Sequence, residues 1–559
     1  MKTTILFLLL AFGWTTERVL GQTPWVQAMS GGTQSNAASI ATDAAGNAYV
    51  GGSFMGTLTI AGTVLQAATT NAFGAYIAKY SPQGALLWVR QPTVPGAYSR
   101  LGVESVVVDG SGNVLLGGTF SGDAWTLGNV TLPAHPAGPL PSQGFVAKLD
   151  PAGTISWARA AVDASRRGTI GAVAVDASGT VYAAGSFNGS LASAFIQQYS
   201  AAGVLQTTTA SPMPGGTGSL TITGLALSAN GQQLALAGWL LGGSVTLQAA
   251  TGTAPALVVS TPGINSSVGF VAGYSPAGDA QWVQTVACGP NNRARLTRLA
   301  ATGADFLACG TYTGAATIGA APVLTLPGST TYSSGLVARF SGQGAVQWAQ
   351  GIQGSGYTEV LDVAADANGN AYAAGDFSGQ LAAPAGGLSS AGGVDAFLLV
   401  YAPQGGLLSA QRDGGVNQEF FTAVALTPAG WPRVAGYYTF GTGLIAGVNL
   451  PVVNSNTAFV AALATSVLAT AAVRGAAAFT VFPVPARSGE YLRLRLDSAQ
   501  TTGSGLVRVL DVLGREVRRQ VLPARETAVA IATAGLMPGR YVLQVLNSAG
   551  VATRGVVVE

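Results

Sequence analysis

Seven turn glycines divide most of this chain into copies of one pattern. Each glycine sits between two alternating apolar runs, and the second run closes on Gly and an aromatic. The first copy runs from Ile40 to Phe54 through Asp43-Ala44-Ala45-Gly46-Asn47. Its turn glycine returns as Gly112, Gly179, Gly231, Gly303, Gly369 and Gly430, at spacings of 66, 67, 52, 72, 66 and 61 residues. Self-similarity at a near-constant period means one small unit, repeated against copies of itself.

The turn residues explain the unit. Asp43, Asp109, Asp176 and Asp366 open the turn, where a carboxylate accepts bonds from the amides that follow. The glycine supplies positive φ. Ser228, Thr302 and Thr427 replace the Asp in the other copies, and the carboxylate spacing lacks the ligand density of a calcium loop. Each copy therefore reads as a β-hairpin.

A second hairpin follows in each period. The first runs from Ala75 through Ser81-Pro82-Gln83-Gly84 to Trp88. It returns through Gly153 to Trp157, Gly278 to Trp282 and Gly344 to Trp348, with weaker copies at Gly203 and Gly405 that lack the tryptophan. Two hairpins make four strands, and radial four-stranded units are the blades of a β-propeller. The seventh period ends on Ala458–Leu463 with no fourth strand, while Trp25-Val26-Gln27-Ala28 stands alone ahead of the first. The expected fold is all-β: a seven-bladed β-propeller whose N-terminal strand completes the last blade, followed by a small β-sandwich. The tryptophans read as packing residues of the outer strands.

The ends of the chain read differently. Lys2, the apolar run Ile5–Phe12 and the small residues Val19 and Gly21 make residues 1–21 an export signal cut after Gly21. Residues 22–465 form the propeller, 466–477 an Ala/Thr-rich linker, and 478–559 a C-terminal β-sandwich of short strands with Gly and Pro turns. Only 9% of residues are charged, yet after the N-terminus no apolar run is long enough to span a membrane. The uncharged stretch Ala458–Val473 reads as a last strand plus linker. The net charge is +3, with the excess of arginine beyond Arg474, so no basic field for nucleic acid covers the propeller.

Two resemblances follow. Asp-Ala-Ala-Gly-Asn-Ala-Tyr (43–49) and Phe-Val-Ala-Lys-Leu-Asp-Pro-Ala-Gly (145–153) resemble the bacterial seven-bladed β-propeller repeat family, over roughly residues 25–465. Phe482-Pro483-Val484-Pro485, Asp511-Val512-Leu513-Gly514-Arg515-Glu516-Val517 and Pro538-Gly539-Arg540-Tyr541 resemble the type A sorting domain of type IX secretion in Bacteroidetes, over residues 478–559. The first implies a fold and an extracytoplasmic setting. The second implies passage through the type IX secretion machinery, then cleavage and surface attachment or release.

Chemistry is sparse. The single histidine, His135, lies in a Pro-rich loop and no nucleophile elbow accompanies it. No phosphate loop, metal set or cofactor motif appears. Cys288 and Cys309 could pair in an oxidising compartment or stay as two buried thiols. Acids such as Asp376 and Asp395 could meet on a propeller face, though no spacing singles them out. Inserts 121–143, 241–268 and 311–334 join the hairpins of their blades and are longer than tight turns need. Loops on a rigid scaffold are where binding resides. The expected function is a secreted or cell-surface, non-catalytic binding, adhesion or structural protein, with a glycan or protein ligand at propeller loops. The alternative is a secreted hydrolase or lyase with an acidic site at the channel mouth.

Overall fold

The computed structural model describes residues 23–464 and 479–559, apart from 97, 135–141, 162–166, 189–192, 213–217, 248–256, 320–323, 383–386, 488, 497–504, 511–515, 523–527 and 548–549. The chain divides into two compact units between Thr465 and Ser466. The export signal and the linker expected from the sequence lie outside the described residues. No helix of the described residues is long and apolar enough to cross a membrane.

The first unit is a ring of seven blades, each an antiparallel sheet of strands A to D from the axis outward. Blade 1 comprises Gln34–Thr42, Ala48–Met55, Phe73–Tyr80 and Leu86–Arg90, and blade 2 Arg100–Val108, Val114–Ser121, Gln143–Leu149 and Ile155–Ala161. Blade 3 comprises Arg167–Val175, Val181–Asn188, Ser193–Tyr199 and Leu205–Pro212, and blade 4 Ser219–Leu227, Leu234–Leu241, Ser267–Tyr274 and Ala280–Cys288. Blade 5 comprises Ala294–Thr302, Asp305–Tyr312, Ser334–Phe340 and Val346–Ile352, and blade 6 Thr358–Ala365, Ala371–Phe377, Asp395–Tyr401 and Leu407–Asp413. Blade 7 takes Gln418–Leu426, Pro432–Thr439 and Thr457–Ala462 from the chain's far end, and Trp25–Ala28 from its start as strand D. Trp25 pairs with Ala462 and Ala28 with Phe459, so the N-terminal strand closes the ring as its repeats require.

The A–B turn of every blade and the C–D turns of blades 1 to 6 point to one face, here the lower. All seven A–B turn glycines and the C–D turn glycines 84, 153, 203, 278, 344 and 405 have positive φ. Asp43 Oδ1 accepts the amides of Ala45 and Asn47 at 3.0 and 2.9 Å, and Oδ2 accepts the Asn47 side chain at 2.7 Å. Although burial opposes ionisation of Asp43, its Asn47 and Tyr49 hydrogen bonds and Lys79 hold the carboxyl below its usual range. These carboxylates are occupied by their own turns.

The tryptophans join blades. Trp25 Nε1 donates to Pro82 O in the C–D turn of the next blade at 2.9 Å. Trp88, Trp157, Trp282 and Trp348 donate in the same way to Pro151, Ala201, Gly342 and Pro403 at 3.2, 3.1, 2.9 and 2.8 Å. Each indole lies on the turn glycine two residues beyond its acceptor: a Cβ at Gly84, Gly203 or Gly344 would sit 2.5–2.6 Å from the ring. Two residues after Trp, a second side chain reaches that glycine's carbonyl: Arg90 to Gly153, Arg159 to Gly203, Gln284 to Gly344 and Gln350 to Gly405, at 2.9, 2.7, 2.8 and 3.0 Å.

The B–C inserts form two-stranded ribbons on the opposite, upper face. They include Thr57–Ile60 with Thr63–Gln66, Trp125–Leu127 with Val130–Leu132, Ser244–Leu247 with Leu257–Ser260, Ala316–Ile318 with Leu324–Leu326, and Gly441–Ile445 with Val448–Val453. Several lean on the preceding blade's outer end, as in the bridges Ser30–Thr59 and Thr93–Thr126 and the pairing of Cys288 with Ala316. The expected inserts thus carry structure, and part of their length fastens blades together.

The second unit is a small sandwich. Phe479–Phe482, Tyr491–Leu496 and Ala528–Ala532 form one sheet, and Glu516–Leu522, Gly505–Leu510, Gly539–Asn547 and Gly550–Val558 the other. Alternate residues Leu492, Leu494, Val507, Val509, Leu543, Val545, Val556 and Val558 share one buried core.

Two outcomes test the ring. Deleting Trp25–Met29 leaves blade 7 with an open edge and lowers the thermal unfolding midpoint by several degrees; an unchanged midpoint would refute closure. Trp88→Ala removes a ring contact and a hydrogen bond at the 1|2 seam. It is expected to cost about 2–4 kcal/mol in denaturant titration.

Candidate functional site

The seven A strands pack around the axis. Each carries a β-bulge at the same height, at residues 38, 104, 171, 223, 297, 361 and 422. A bulge frees one residue from the ladder and turns it. Side chains at or next to the bulges then cross to the neighbouring blade. Ser39, Ser105 and Asp362 accept the amides of Val106, Val173 and Val424 at 3.0, 3.2 and 2.8 Å. Thr223 and Thr297 donate to the carbonyls of Leu296 and Val360 at 2.8 and 2.9 Å, and Thr422 donates to Ala37.

Arg298 crosses the channel at this level. Its guanidinium donates to Thr223 O at 3.2 Å, to Ala38 O at 2.9 Å and to Glu104 O at 3.1 Å, on blades 4, 1 and 2. A cavity of about 170 Å³ remains around it, lined by all seven A strands. Burial pushes the Asp362 carboxyl up to about 6, against the pull of Arg298. Arg298 thus bars the channel and leaves a funnel above.

The funnel wall comes from one repeated position. On strand A, Asn36, Gly102, Thr169, Thr221, Arg295, Glu359 and Phe420 are partly or fully exposed between buried neighbours. Opposite them on strand B stand Ser53, Thr119, Ser186, Trp239, Thr311, Asp376 and Tyr437. In blade 1, Asn36 Oδ1 accepts both the amide and hydroxyl of Ser53 at 3.0 Å. In blade 3, the Thr169 and Ser186 hydroxyls lie 3.3 Å apart. Across blades 4 and 5, Arg295 lies 4.6 Å from the Trp239 ring centroid. In blade 7, Phe420 and Tyr437 stack at 4.6 Å and 18°.

Blade 6 supplies the acids. Asp376 is 2% exposed and faces Glu359 across the strand pair. Burial, then the Glu359 charge, push the Asp376 carboxyl well above its usual range, with Tyr357 bonding to it. Burial, then Asp376 and Glu359, raise the Tyr437 hydroxyl to about 12. Ser333 Oγ donates to Glu359 at 3.3 Å.

Asp395 lies apart from this pair in hydrogen bonding. It is fully buried, accepts the Ala391 amide at 2.8 Å and pairs with Arg412 at 2.7 Å. Near it, Asp413 accepts the Ala446 amide at 3.0 and 3.1 Å, and Glu419 accepts Gly415 and Leu444 at 3.1 and 3.2 Å. These acids pin the loop between blades 6 and 7 to the ribbon of blade 7. Among the described residues, no group of three or more His, Cys, Asp or Glu is placed to hold a metal ion.

The cysteine pair open to the sequence is not formed. Cys288 and Cys309 are both free and buried. Cys288 shares a core with Phe306 and Ala308, while Cys309 shares one with Leu307 and Val337. Alternate residues of one strand point to opposite faces, so the sheet of blade 5 separates the two thiols. His135 lies outside the described residues. No catalytic motif marks Trp239, Arg295, Glu359, Phe420 or Tyr437 in the sequence. Their signal was the column between the small residue and large apolar residue that close strand B, and its cross-strand partner on strand A.

Residues 480–559 match the family described as the secretion system C-terminal sorting domain. The protein is therefore a type IX secretion client, delivered to the cell surface or beyond. No curated protein matches the chain. Similar solved structures include the periplasmic gluconolactonase PpgL of Pseudomonas aeruginosa, at 12% identity over 71% of this chain and 98% of that one, TM-score 0.36. They also include a protein of unknown function from Dyadobacter fermentans, at 9% identity over 80% and 100%, TM-score 0.35. A puromycin hydrolase mutant follows at 11% identity over 84% and 59%, TM-score 0.37. At such distances the strand order of this chain carries the fold assignment.

A chain ending at residue 477 is expected to stay inside the outer membrane, as cell fractionation would show. Asp413 gives a pH test. Burial, opposed by the Ala446 amide and aided by Glu419, raises its carboxyl to about 7. A raised folded-state pKa favours the fold fully below the unfolded value and loses that contribution as pH climbs through 7. Asp413→Asn should therefore gain stability on the parent between pH 5 and pH 8, by roughly 2–4 kcal/mol. Equal stability differences at both pH values would refute it.

Proposed function

We propose that this surface-delivered propeller is a non-catalytic binding protein that takes its ligand, a glycan or a protein, at the upper funnel. The observation that carries the reading is the repeated wall position. There the backbone setting is the same in seven blades, the A-strand residue is always accessible, and the chemistry differs from blade to blade. On the lower face, the carboxylates of Asp43, Asp109, Asp176 and Asp366 and the indoles of Trp25, Trp88, Trp157, Trp282 and Trp348 are committed to turns and seams. The upper rim also shows Tyr98, Ile264, Tyr332, Val416 and Phe440, all between 47% and 82% exposed. Phe440 holds φ +52°, a conformation that a bulky residue adopts only at a cost. The domain limits that go with this reading are residues 1–21 removed on export, 22–465 as the binding unit and 478–559 as the sorting unit.

The Glu359–Asp376 pair favours a second reading, a secreted hydrolase or lyase. Two-carboxylate hydrolysis needs both groups at the scissile bond. Asp376 is closed off, so of this pair Glu359 alone reaches the funnel, which supports binding over turnover. The deciding measurement uses the secreted chain and its Glu359→Gln variant with a captured ligand. Binding predicts unchanged ligand after hours with either chain. Ligand consumed by the parent and spared by the variant would establish the hydrolase. Phe420→Ala and Trp239→Ala are each expected to weaken capture at least tenfold, while Thr119→Ala stays within about twofold; loss with Thr119→Ala alone would move the site.

A further inference from the structure

The funnel wall is divided. On blades 1 and 3 the polar side chains satisfy one another: Asn36 with Ser53, and Thr169 with Ser186. Blade 2 offers Gly102 and Thr119. Blades 4 to 7 instead present two aromatic platforms with hydrogen-bonding heads between them in ring order. Trp239 carries the Arg295 guanidinium at 4.6 Å, and the Arg295 Nε is buried with no hydrogen-bond partner. Glu359 follows, holding one hydroxyl from Ser333, then Asp376 and Tyr357, then the Phe420–Tyr437 stack.

We infer that blades 4 to 7 bind a neutral oligosaccharide laid across the funnel mouth, stacked on Trp239 at one end and on Phe420–Tyr437 at the other. This rests on the funnel being the binding face. A sugar ring offers C–H groups along its faces and hydroxyls around its edge. The C–H groups carry partial positive charge and suit the negative face of an aromatic ring. A guanidinium offers several fixed donors and a carboxylate several acceptors, which matches neighbouring hydroxyls. Charge then narrows the class. Arg295 contributes one positive charge and Glu359 one negative. Asp376, paired across the strands with Glu359, is 2% exposed and closed off from a ligand. At the wall position itself the two reachable charges of the half-ring are of opposite sign, so an acidic chain would meet Glu359 and a cationic one would meet Arg295, each at a desolvation cost.

The test is calorimetric titration of the secreted chain with four sets of oligosaccharides: neutral hexose, neutral N-acetylhexosamine, uronate-containing and free amino-sugar. At least one neutral set is expected to bind, at least tenfold tighter than its charged counterparts. Trp239→Ala and Phe420→Ala should each weaken it tenfold or more, while Tyr437→Phe, which keeps the ring, and Ser53→Ala stay within threefold. Thermal midpoints matching the parent show that the variants fold. Binding confined to a charged set, no binding of any neutral set at millimolar concentration, or neutral binding indifferent to both aromatic variants would each overturn the inference. The two readings fail separately. A non-saccharide ligand lost on Phe420→Ala would sink the sugar and keep the face. A ligand indifferent to every funnel variant would sink both.

Discussion

The contact between a tryptophan of one blade and the turn glycine of the next organises this molecule. The indole spreads over a residue that has no side chain, and its Nε1 proton goes to the carbonyl two residues earlier. The turn needs positive φ and the neighbour needs the open surface, so glycine answers both requirements. Each such contact couples the local geometry of one hairpin to the placement of the blade before it. Repetition at 7|1, 1|2, 2|3, 4|5 and 5|6 makes a ring from sheets that share few main-chain hydrogen bonds. The seam residues Arg90, Arg159, Gln284 and Gln350 repeat the grip with a different chemistry.

Because the lower face and outer strands hold the ring, the upper face is released from that task. The wall positions of strands A and B face a funnel closed beneath by Arg298. Serine, threonine, tryptophan, aspartate and tyrosine all occur there without altering the strand pairing. Loops on a rigid frame commonly carry function. Here the ends of the strands themselves carry the side chains that vary from blade to blade. The ribbons beyond them brace neighbouring blades, and their exposed rim residues extend the surface outward.

Much of the frame was legible. Turn glycines, the Asp that caps them and the orphan strand at Trp25 each impose a local constraint visible within about ten residues, and together they specify blade number and closure. The sorting domain was legible from its Phe-Pro, Gly-Arg and Pro-Gly-Arg-Tyr pieces. The funnel was not, because Arg295, Glu359 and Phe420 are separated by more than sixty residues in sequence and meet only when seven blades curve into a circle. Whether Cys288 and Cys309 pair or stay as buried thiols was left open by the sequence for a related reason. Their pairing depended on which face of blade 5 each strand turned inward, and parity along a strand becomes meaningful only once the neighbours are placed. Asp395 looked like a catalytic candidate, but its partners are the Ala391 amide and Arg412 on the next strand.

The two seams without a tryptophan are different cases. Blade 6 carries Ser409 at that position, facing blade 7, whose C strand ends the propeller chain at Leu463. Blade 7 has no C–D turn, since its D strand comes from the N-terminus, and so no glycine for an indole to cover. Asp362 stitches that seam from the inside through Val424. The 3|4 seam has no such excuse. Blade 4 offers Gly278 at positive φ, yet blade 3 presents the exposed Thr207. At the bulge, where six seams have a bridging side chain, blade 3 has Gly171, so close to Ile222 O that a Cβ would lie 1.9 Å away. Direct backbone approach replaces side-chain bridging there. With neither latch, the 3|4 seam relies on the apolar core that its two blades share. Blade 3, whose funnel side chains satisfy one another, adjoins it on one side, and blade 4, where the aromatic half begins with Trp239, adjoins it on the other.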